Sequence, residues 1–259
     1  MHIQELFNLK GKIALVTGGA GLYGSCISQA LGEVGAKVII ASRDIKKCQA
    51  KAKELQGKGL DVCGEQLDLT SEESVVELKE KILLRYSRID VLVNNAVERP
   101  MRKFDCPAAD WEKSMKVNAT GLFICTRIFI SEMVKQNSGN IINISSIYGM
   151  VGPDFSIYQG TDMDMPPDYA FHRGGIINFT RYLATRFARY NIRVNCISPG
   201  GLYTNNQPDS FVEDYNRRVP LGRMANEDDI KGTVVYLASN ASSYVTGCNL
   251  VVDGGWTAW

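Results

Sequence analysis

Short runs of β-branched and other apolar residues alternate along the chain with longer segments whose apolar positions recur every three or four residues. The short runs, at 13–17, 38–41, 60–67, 91–94, 141–145, 194–197 and 250–252, predict seven strands. Segments of helical length lie between them, among them 24–34, 72–86, 111–135, 169–189 and 228–237. This alternation predicts an α/β fold, a doubly wound Rossmann-type parallel sheet of about seven strands with helices on both faces. Thr70 with Glu73 has the form of a capping box, and Gly35 falls where the first helix should stop.

No linker, repeat or low-complexity tract divides residues 1–259, so one domain is expected. The irregular stretches 98–107, 150–168 and 200–223 are expected to be substrate loops, because loops after strands gather at the ligand crevice of such a sheet. With 45% hydrophobic and 22% charged residues, the composition is that of a globular chain and excludes a disordered one. A net charge of +1, with Lys and Arg evenly scattered, gives no basis for a nucleic-acid or membrane-surface partner and leaves a small molecule. The seven cysteines lack CxxC or metal-ligand spacing and read as buried apolar side chains in a reducing compartment. Neither a secretory leader pattern nor a run of membrane-spanning length is apparent, and the cytoplasm is the expected location. The only histidines are His2 and His172, and no metal site is expected.

The first chemical signal is Gly19-x-Gly21-x-x-Gly24, which follows the first predicted strand and opens the first predicted helix. Glycines there let the backbone turn sharply and approach a pyrophosphate, whose charge meets free N–H groups at the helix start. From residue 12 to residue 255 the chain resembles the short-chain dehydrogenase/reductase family. Thr17, Gly18 and Gly24 match its TGxxxGxG loop, while Leu22 stands in place of the middle glycine, one position after Gly21 and before Tyr23. Asp68, followed by Leu69, matches the family's acidic residue facing the adenine; Asn94-Asn95-Ala96 matches most of NNAG, with Val97 replacing the glycine. Ser198-Pro199-Gly200 and Thr204 match the segment that holds the nicotinamide, and Asp253-Gly254-Gly255 the closing motif.

The choice of nicotinamide turns on the end of the second strand, where an acid would accept hydrogen bonds from a ribose 2′-hydroxyl and repel a 2′-phosphate. In the family register that position is Ser42, which leaves Arg43 to pair with a phosphate. NADP is the expected cofactor. NAD is the alternative, with Asp44, about 20 residues beyond the loop, meeting the ribose.

Carbonyl reduction needs a hydride donor, a group that polarises the carbonyl oxygen and an acid that protonates it. The family uses Ser, Tyr and Lys, to which Ser146, Tyr169 and position 173 correspond. Tyr158 competes for the acid role at the usual spacing from Ser146, but only Tyr169 leads into a segment resembling the helix after the family's YxxxK. Tyr169 is therefore the expected acid/base, with an insertion in 150–168. Asn118, within VNATG, matches the family's fourth residue, which kinks its helix and holds a water linking the lysine to solvent.

Position 173 departs from the family, being Arg173. Lowering a tyrosine pKa from about 10 to about 7 requires roughly 4 kcal/mol, and a cation near 4 Å at an effective dielectric of 20 supplies about that. An arginine provides the electrostatics but neither loses a proton readily nor reproduces a lysine's compact geometry, so ribose contacts and proton relay are expected to differ.

The expected activity is interconversion of a secondary alcohol and a ketone or aldehyde. An NAD(P)-binding regulatory protein with little turnover is the alternative. Asn205, Asn206, Gln207, Arg217 and Arg218, with Arg99, Arg102 and Lys103, suggest a polar or anionic hydroxylated substrate such as a sugar derivative. The resemblance further implies a homotetramer or dimer, paired through 111–135 and 169–189.

Overall fold

The computed structural model describes all 259 residues. Its centre is a sheet of seven parallel strands in the order β3-β2-β1-β4-β5-β6-β7. After a short helix α1 (Ile3–Leu6), the first half runs β1 (Ile13–Thr17), α2 (Leu22–Glu33), β2 (Lys37–Ser42), α3 (Ile45–Gln56), β3 (Val62–Gln66) and α4 (Glu72–Tyr86). The second runs β4 (Val91–Asn94), α5 (Ala108–Met115), α6 (Leu122–Gln136), β5 (Gly139–Ile144), α7 (Pro167–Phe187), β6 (Ile192–Pro199), α8 (Asp209–Arg218), α9 (Lys231–Ala238) and β7 (Asn249–Val252). All seven expected strands are present, and helices over Ile45–Gln56 and Asp209–Arg218 join those named from periodicity.

Continuous apolar strands form here because both faces of the sheet are covered. In β1, Ala14 and Val16 join the core beneath α2, α3 and α9, while Ile13 and Leu15 join the core beneath α4, α6 and α7. A third cluster, rich in aromatics and including Tyr148, Tyr158, Tyr169, Tyr215 and Trp256, sits beyond the carboxyl ends of the strands. The helical run Ala108–Gln136 is long and apolar enough to cross a membrane by length and composition, but more than half of its apolar window is buried within the fold.

Two local expectations change. The cap of α4 is Ser71, whose hydroxyl accepts from the Ser74 N–H at 3.2 Å, and not Thr70. Thr70 is drawn away by Asp68, whose carboxylate accepts from both its N–H and its hydroxyl at 2.8 Å. The segment expected as one helix from residue 111 is broken by a π turn, Lys116–Gly121, which contains Asn118. Gly35 ends α2 as expected, with φ of 95°.

Candidate active site

Strand order reverses between β1 and β4, and a crevice opens there at the carboxyl ends of the strands. It continues as a cavity of about 770 Å³ that reaches from the ends of β2 and β3 to the ends of β5 and β6.

At the β1 end the chain turns through Gly18, Gly19, Ala20 and Gly21 into α2. Gly18 has φ of 64°, and a Cβ on it would fall 2.9 Å from Ala96 Cα. A Cβ on Gly24 would fall 2.2 Å from the Gly18 carbonyl oxygen. Both glycines are thus required by the tightness of the loop. No side chain caps α2 at Gly21, so its first N–H groups face the crevice without an internal acceptor. The loop is stapled from β4: Thr17 Oγ1 accepts from the N–H groups of Asn95 and Ala96 at 3.0 and 3.1 Å, and Asn95 Nδ2 donates to the carbonyls of Thr17 and Gly18. Leu22 is the first residue of α2 and two-thirds exposed, so the loop accommodates its side chain without distortion. A glycine-rich anion cradle of this shape fits a dinucleotide pyrophosphate.

Gly18, Gly21, Leu22, Tyr23 and Gly24 line the cavity, as do Ser42, Arg43, Asp68, Leu69, Asn95, Ala96, Val97, Pro199 and Gly200. Gly19 and Thr204, expected with them, do not. A Cβ on Gly19 would fall 1.9 Å from Ile40 Cγ2, so that glycine serves packing against β2. Thr204 turns away, its N–H donating to Gln207 Oε1 at 2.9 Å. Tyr23 crosses the crevice, its hydroxyl donating to the Gly200 carbonyl at 2.9 Å.

At the β2 end, Arg43 forms an ion pair with Glu98, a residue that motif matching missed. Asp44 is engaged as the cap of α3, accepting from the Lys47 N–H at 3.0 Å, with the Lys47 ammonium 3.7 Å away. The Glu98 backbone is clamped by Asn118, which accepts from its N–H at 2.9 Å and donates to its carbonyl at 2.7 Å. Asn118 Nδ2 also donates to Ser114 Oγ at 3.0 Å, and Ser114 donates to the buried Asp168 beside Tyr169. Asn118 is buried and does not itself line the cavity.

Tyr169 and Arg173, one turn apart on α7, both reach the cavity and are nearly fully buried. The Arg173 guanidinium lies 4.9 Å from the centre of the Tyr169 ring, donating to the Ile144 carbonyl at the end of β5, while its Nε is buried without a partner. The Arg99 guanidinium lies 4.6 Å from the same ring. Burial pushes the Tyr169 phenol up; Arg173, then Arg99, then the Ser146 hydroxyl pull it down, and the result is a pKa of about 8. Tyr158 differs: burial pushes its phenol up to about 12, and its hydroxyl is paired with that of Tyr148 at 2.9 Å. Ser146, just past β5, lines the cavity.

Of the residues that suggested a sugar-like substrate, only Arg99 and Gln207 line the cavity. Arg217 pairs with Asp214 at 2.7 Å and Arg218 with Asp154 at 2.9 Å, both on the exterior. Those side chains cluster in sequence because they share a loop and a helix, not because they share a site.

Residues 21–257 match the family model described as enoyl-(acyl carrier protein) reductase. The chain is 36% identical to an uncharacterised oxidoreductase of Thermotoga maritima, over 96% of this chain and 97% of that protein. It is 33% identical to the 3-oxoacyl-[acyl-carrier-protein] reductase of the same organism, over 95% and 98%. The crystal structure of a gluconate 5-dehydrogenase from Burkholderia cenocepacia, in complex with NADP and tartrate, superimposes over 100% of both chains with a TM-score of 0.89 at 29% identity. On these matches the chain belongs to the short-chain dehydrogenase/reductase family and is a nicotinamide-dependent oxidoreductase that interconverts CH–OH and carbonyl groups.

Proposed function

We propose that the chain is an NADP-preferring alcohol dehydrogenase or ketoreductase in which Tyr169 is the acid/base. The observation that carries this reading is a buried phenol set between two guanidinium groups and beside the Ser146 hydroxyl, in the crevice that begins at the phosphate loop. A pKa of about 8 in place of 10 represents roughly 3 kcal/mol in favour of the phenolate. A cation at about 5 Å and an effective dielectric of 20 supplies about 3 kcal/mol, so two of them outweigh the burial that opposes them.

A dinucleotide held by the phosphate loop would supply the hydride. Ser146 orients the substrate oxygen, and Tyr169 Oη gives it a proton during reduction or takes one during oxidation. Arg173 holds the phenol near neutrality and lines the cavity where the ribose of a dinucleotide would lie. Asn118 acts through the chain, fixing Glu98 and the loop that carries Arg99. The preference for NADP rests on Arg43 at the end of β2 and on Asp44 being engaged as a helix cap; the Burkholderia relative was crystallised with NADP.

The same reading takes residues 1–259 as one domain, with 98–107, 150–168 and 200–223 framing the substrate end. Phe123, Phe171 and Tyr182 are exposed on α6 and α7 and support assembly as a dimer or tetramer. Seven free thiols suit the reducing cytoplasm.

The test is NADPH-linked reduction across a panel of carbonyl compounds. Tyr169→Phe should lower turnover by about 100-fold or more, the scale of a lost general acid, while NADPH still binds. Binding of NADPH without turnover on any carbonyl would favour the regulatory reading instead.

A further inference from the structure

Beyond Tyr169, on the side away from the phosphate loop, the cavity is walled by Tyr148, Tyr158, Phe211, Tyr215, Met163 and Met224. The hydroxyls of this wall are partly engaged. Tyr148 and Tyr158 share a hydrogen bond at 2.9 Å, and the Tyr215 hydroxyl accepts from the Gly201 N–H at 2.6 Å, with Trp256 stacked behind it at 4.5 Å. The wall is mainly ring surface and thioether, with one phenolic O–H of the Tyr148–Tyr158 pair and that of Tyr215 left without an acceptor. A polyol entering there would surrender hydrogen bonds to water and find few in return.

One group at the mouth is of the opposite kind. Arg99 lines the cavity beside the reacting phenol and forms neither an ion pair nor a side-chain hydrogen bond, its close neighbour being the Tyr169 ring. The adjacent carboxylate, Glu98, is taken by Arg43; Asp164 also lines the cavity as an unpaired carboxylate, accepting from the Met165 N–H at 2.7 Å without pairing with Arg99. An exposed guanidinium at the mouth, free of protein acceptors, can pair its two parallel donors with the two oxygens of a carboxylate.

We infer that the substrate is an oxo acid, or the corresponding hydroxy acid, whose carboxylate pairs with Arg99 and whose body is apolar, aromatic or branched, and not polyhydroxylated. This rests on the redox reading of Tyr169. In the reductive direction the hydride of the reduced dinucleotide forms the new C–H bond at the carbonyl carbon, the Tyr169 proton goes to its oxygen, and the carboxylate leaves unchanged. Because Arg99 also biases the phenol, a bound carboxylate partly neutralises that bias and raises the Tyr169 pKa in the ternary complex.

The test measures ligand binding to the NADPH complex of the full chain, by cofactor fluorescence, alongside turnover. The probes are 4-phenyl-2-oxobutanoate, its methyl ester and 2-oxogluconate. The phenyl acid should bind about 10-fold more tightly than its ester, the scale of one charge-assisted bidentate contact, and about 10-fold more tightly than 2-oxogluconate. The acid-to-ester ratio should fall towards one in Arg99→Gln and recover in large part in Arg99→Lys. Since the ratio is internal to each variant, it is independent of any general loss. Equal binding of acid and ester, no binding of either, an unchanged ratio in Arg99→Gln or a preference for 2-oxogluconate would overturn the inference. Arg99-dependent binding without reduction would overturn the redox reading alone, whereas equal reduction of acid and ester would overturn the Arg99 assignment alone.

Discussion

The Arg173 guanidinium stands 4.9 Å from the centre of the Tyr169 ring and is held there by the Ile144 carbonyl, so a residue on α7 is tied to the end of β5. It carries no carboxylate partner, and a buried cation without one is stabilised chiefly by what develops negative charge beside it, here the phenolate. Arg173→Lys keeps the charge and is expected to preserve or raise turnover. Arg173→Gln removes it; the loss of about 3 kcal/mol corresponds to roughly a 100-fold fall in kcat. The pH profile supplies the sign. Tyr169 accepts a proton only when ionised, so NADP-linked alcohol oxidation by the parent should rise through pH of about 8. Reduction, which needs the protonated phenol, should fall over the same range. In Arg173→Gln both limbs should move to higher pH, as steady-state rates from pH 6 to pH 11 would reveal. A collapse of Arg173→Lys would show that the planar guanidinium, and not its charge, is what the site requires.

Arg43 must exchange Glu98 for the 2′-phosphate if it is to read NADP. The pair is only partly shielded, with Arg43 57% and Glu98 23% exposed, so its own worth is at most about 1 kcal/mol. Glu98→Gln should therefore tighten NADPH by about two- to fivefold and leave NADH nearly unchanged. Arg43→Ala should weaken NADPH by about 10-fold or more and spare NADH. Fluorescence titrations with both cofactors decide this. If Glu98→Gln weakens NADPH, the carboxylate is a ligand and not a competitor. If Arg43→Ala leaves NADPH unchanged, the cofactor preference is wrong.

How much of this was legible in advance follows from the range of the interactions. The phosphate loop could be read because Gly18 and Gly24 answer to contacts within a few residues and to the neighbouring β4, constraints that leave glycine as the only fit. Tyr169 could be chosen over Tyr158 because the segment after it resembles the helix after the family's YxxxK, a contiguous pattern; the two phenols differ in environment, at about 8 and about 12. Glu98 left no such mark, and Arg99 stands out in the sequence only as one of several polar residues, not as a neighbour of Tyr169. Their roles depend on Asn118 clamping a loop 20 residues away in sequence and on Arg43 lying 55 residues from its partner. Of the polar residues of the late loop only Gln207 reaches the cavity, since adjacency in sequence says little about which side of a loop faces it. Gly19 fits the fingerprint, yet its space is filled by Ile40, a side chain on the next strand.

His172 carries the last prediction. It is buried on α7, edge-on to Tyr169 at 5.4 Å between ring centres, and neither ring nitrogen has a hydrogen-bond partner. Burial first, then Arg173 and Arg99, hold it neutral, with a pKa of about 3 against 6.5 for the free side chain. A depressed folded pKa means that the unfolded chain binds the proton first. Stability from the neutral ring is therefore present above pH 6.5 and is progressively lost as the pH falls from 6.5 towards 3. The slope cannot exceed about 1.4 kcal/mol per pH unit, so acidification to pH 5 removes up to about 2 kcal/mol, several degrees of Tm for a chain of this size. His172→Leu fills a similar volume and cannot titrate. Its Tm should fall less than that of the parent between pH 7 and pH 5, and the exposed His2, common to both proteins, cancels in the comparison. Parallel Tm curves for the two proteins over that interval would mean that the ring gains its proton without leaving its site.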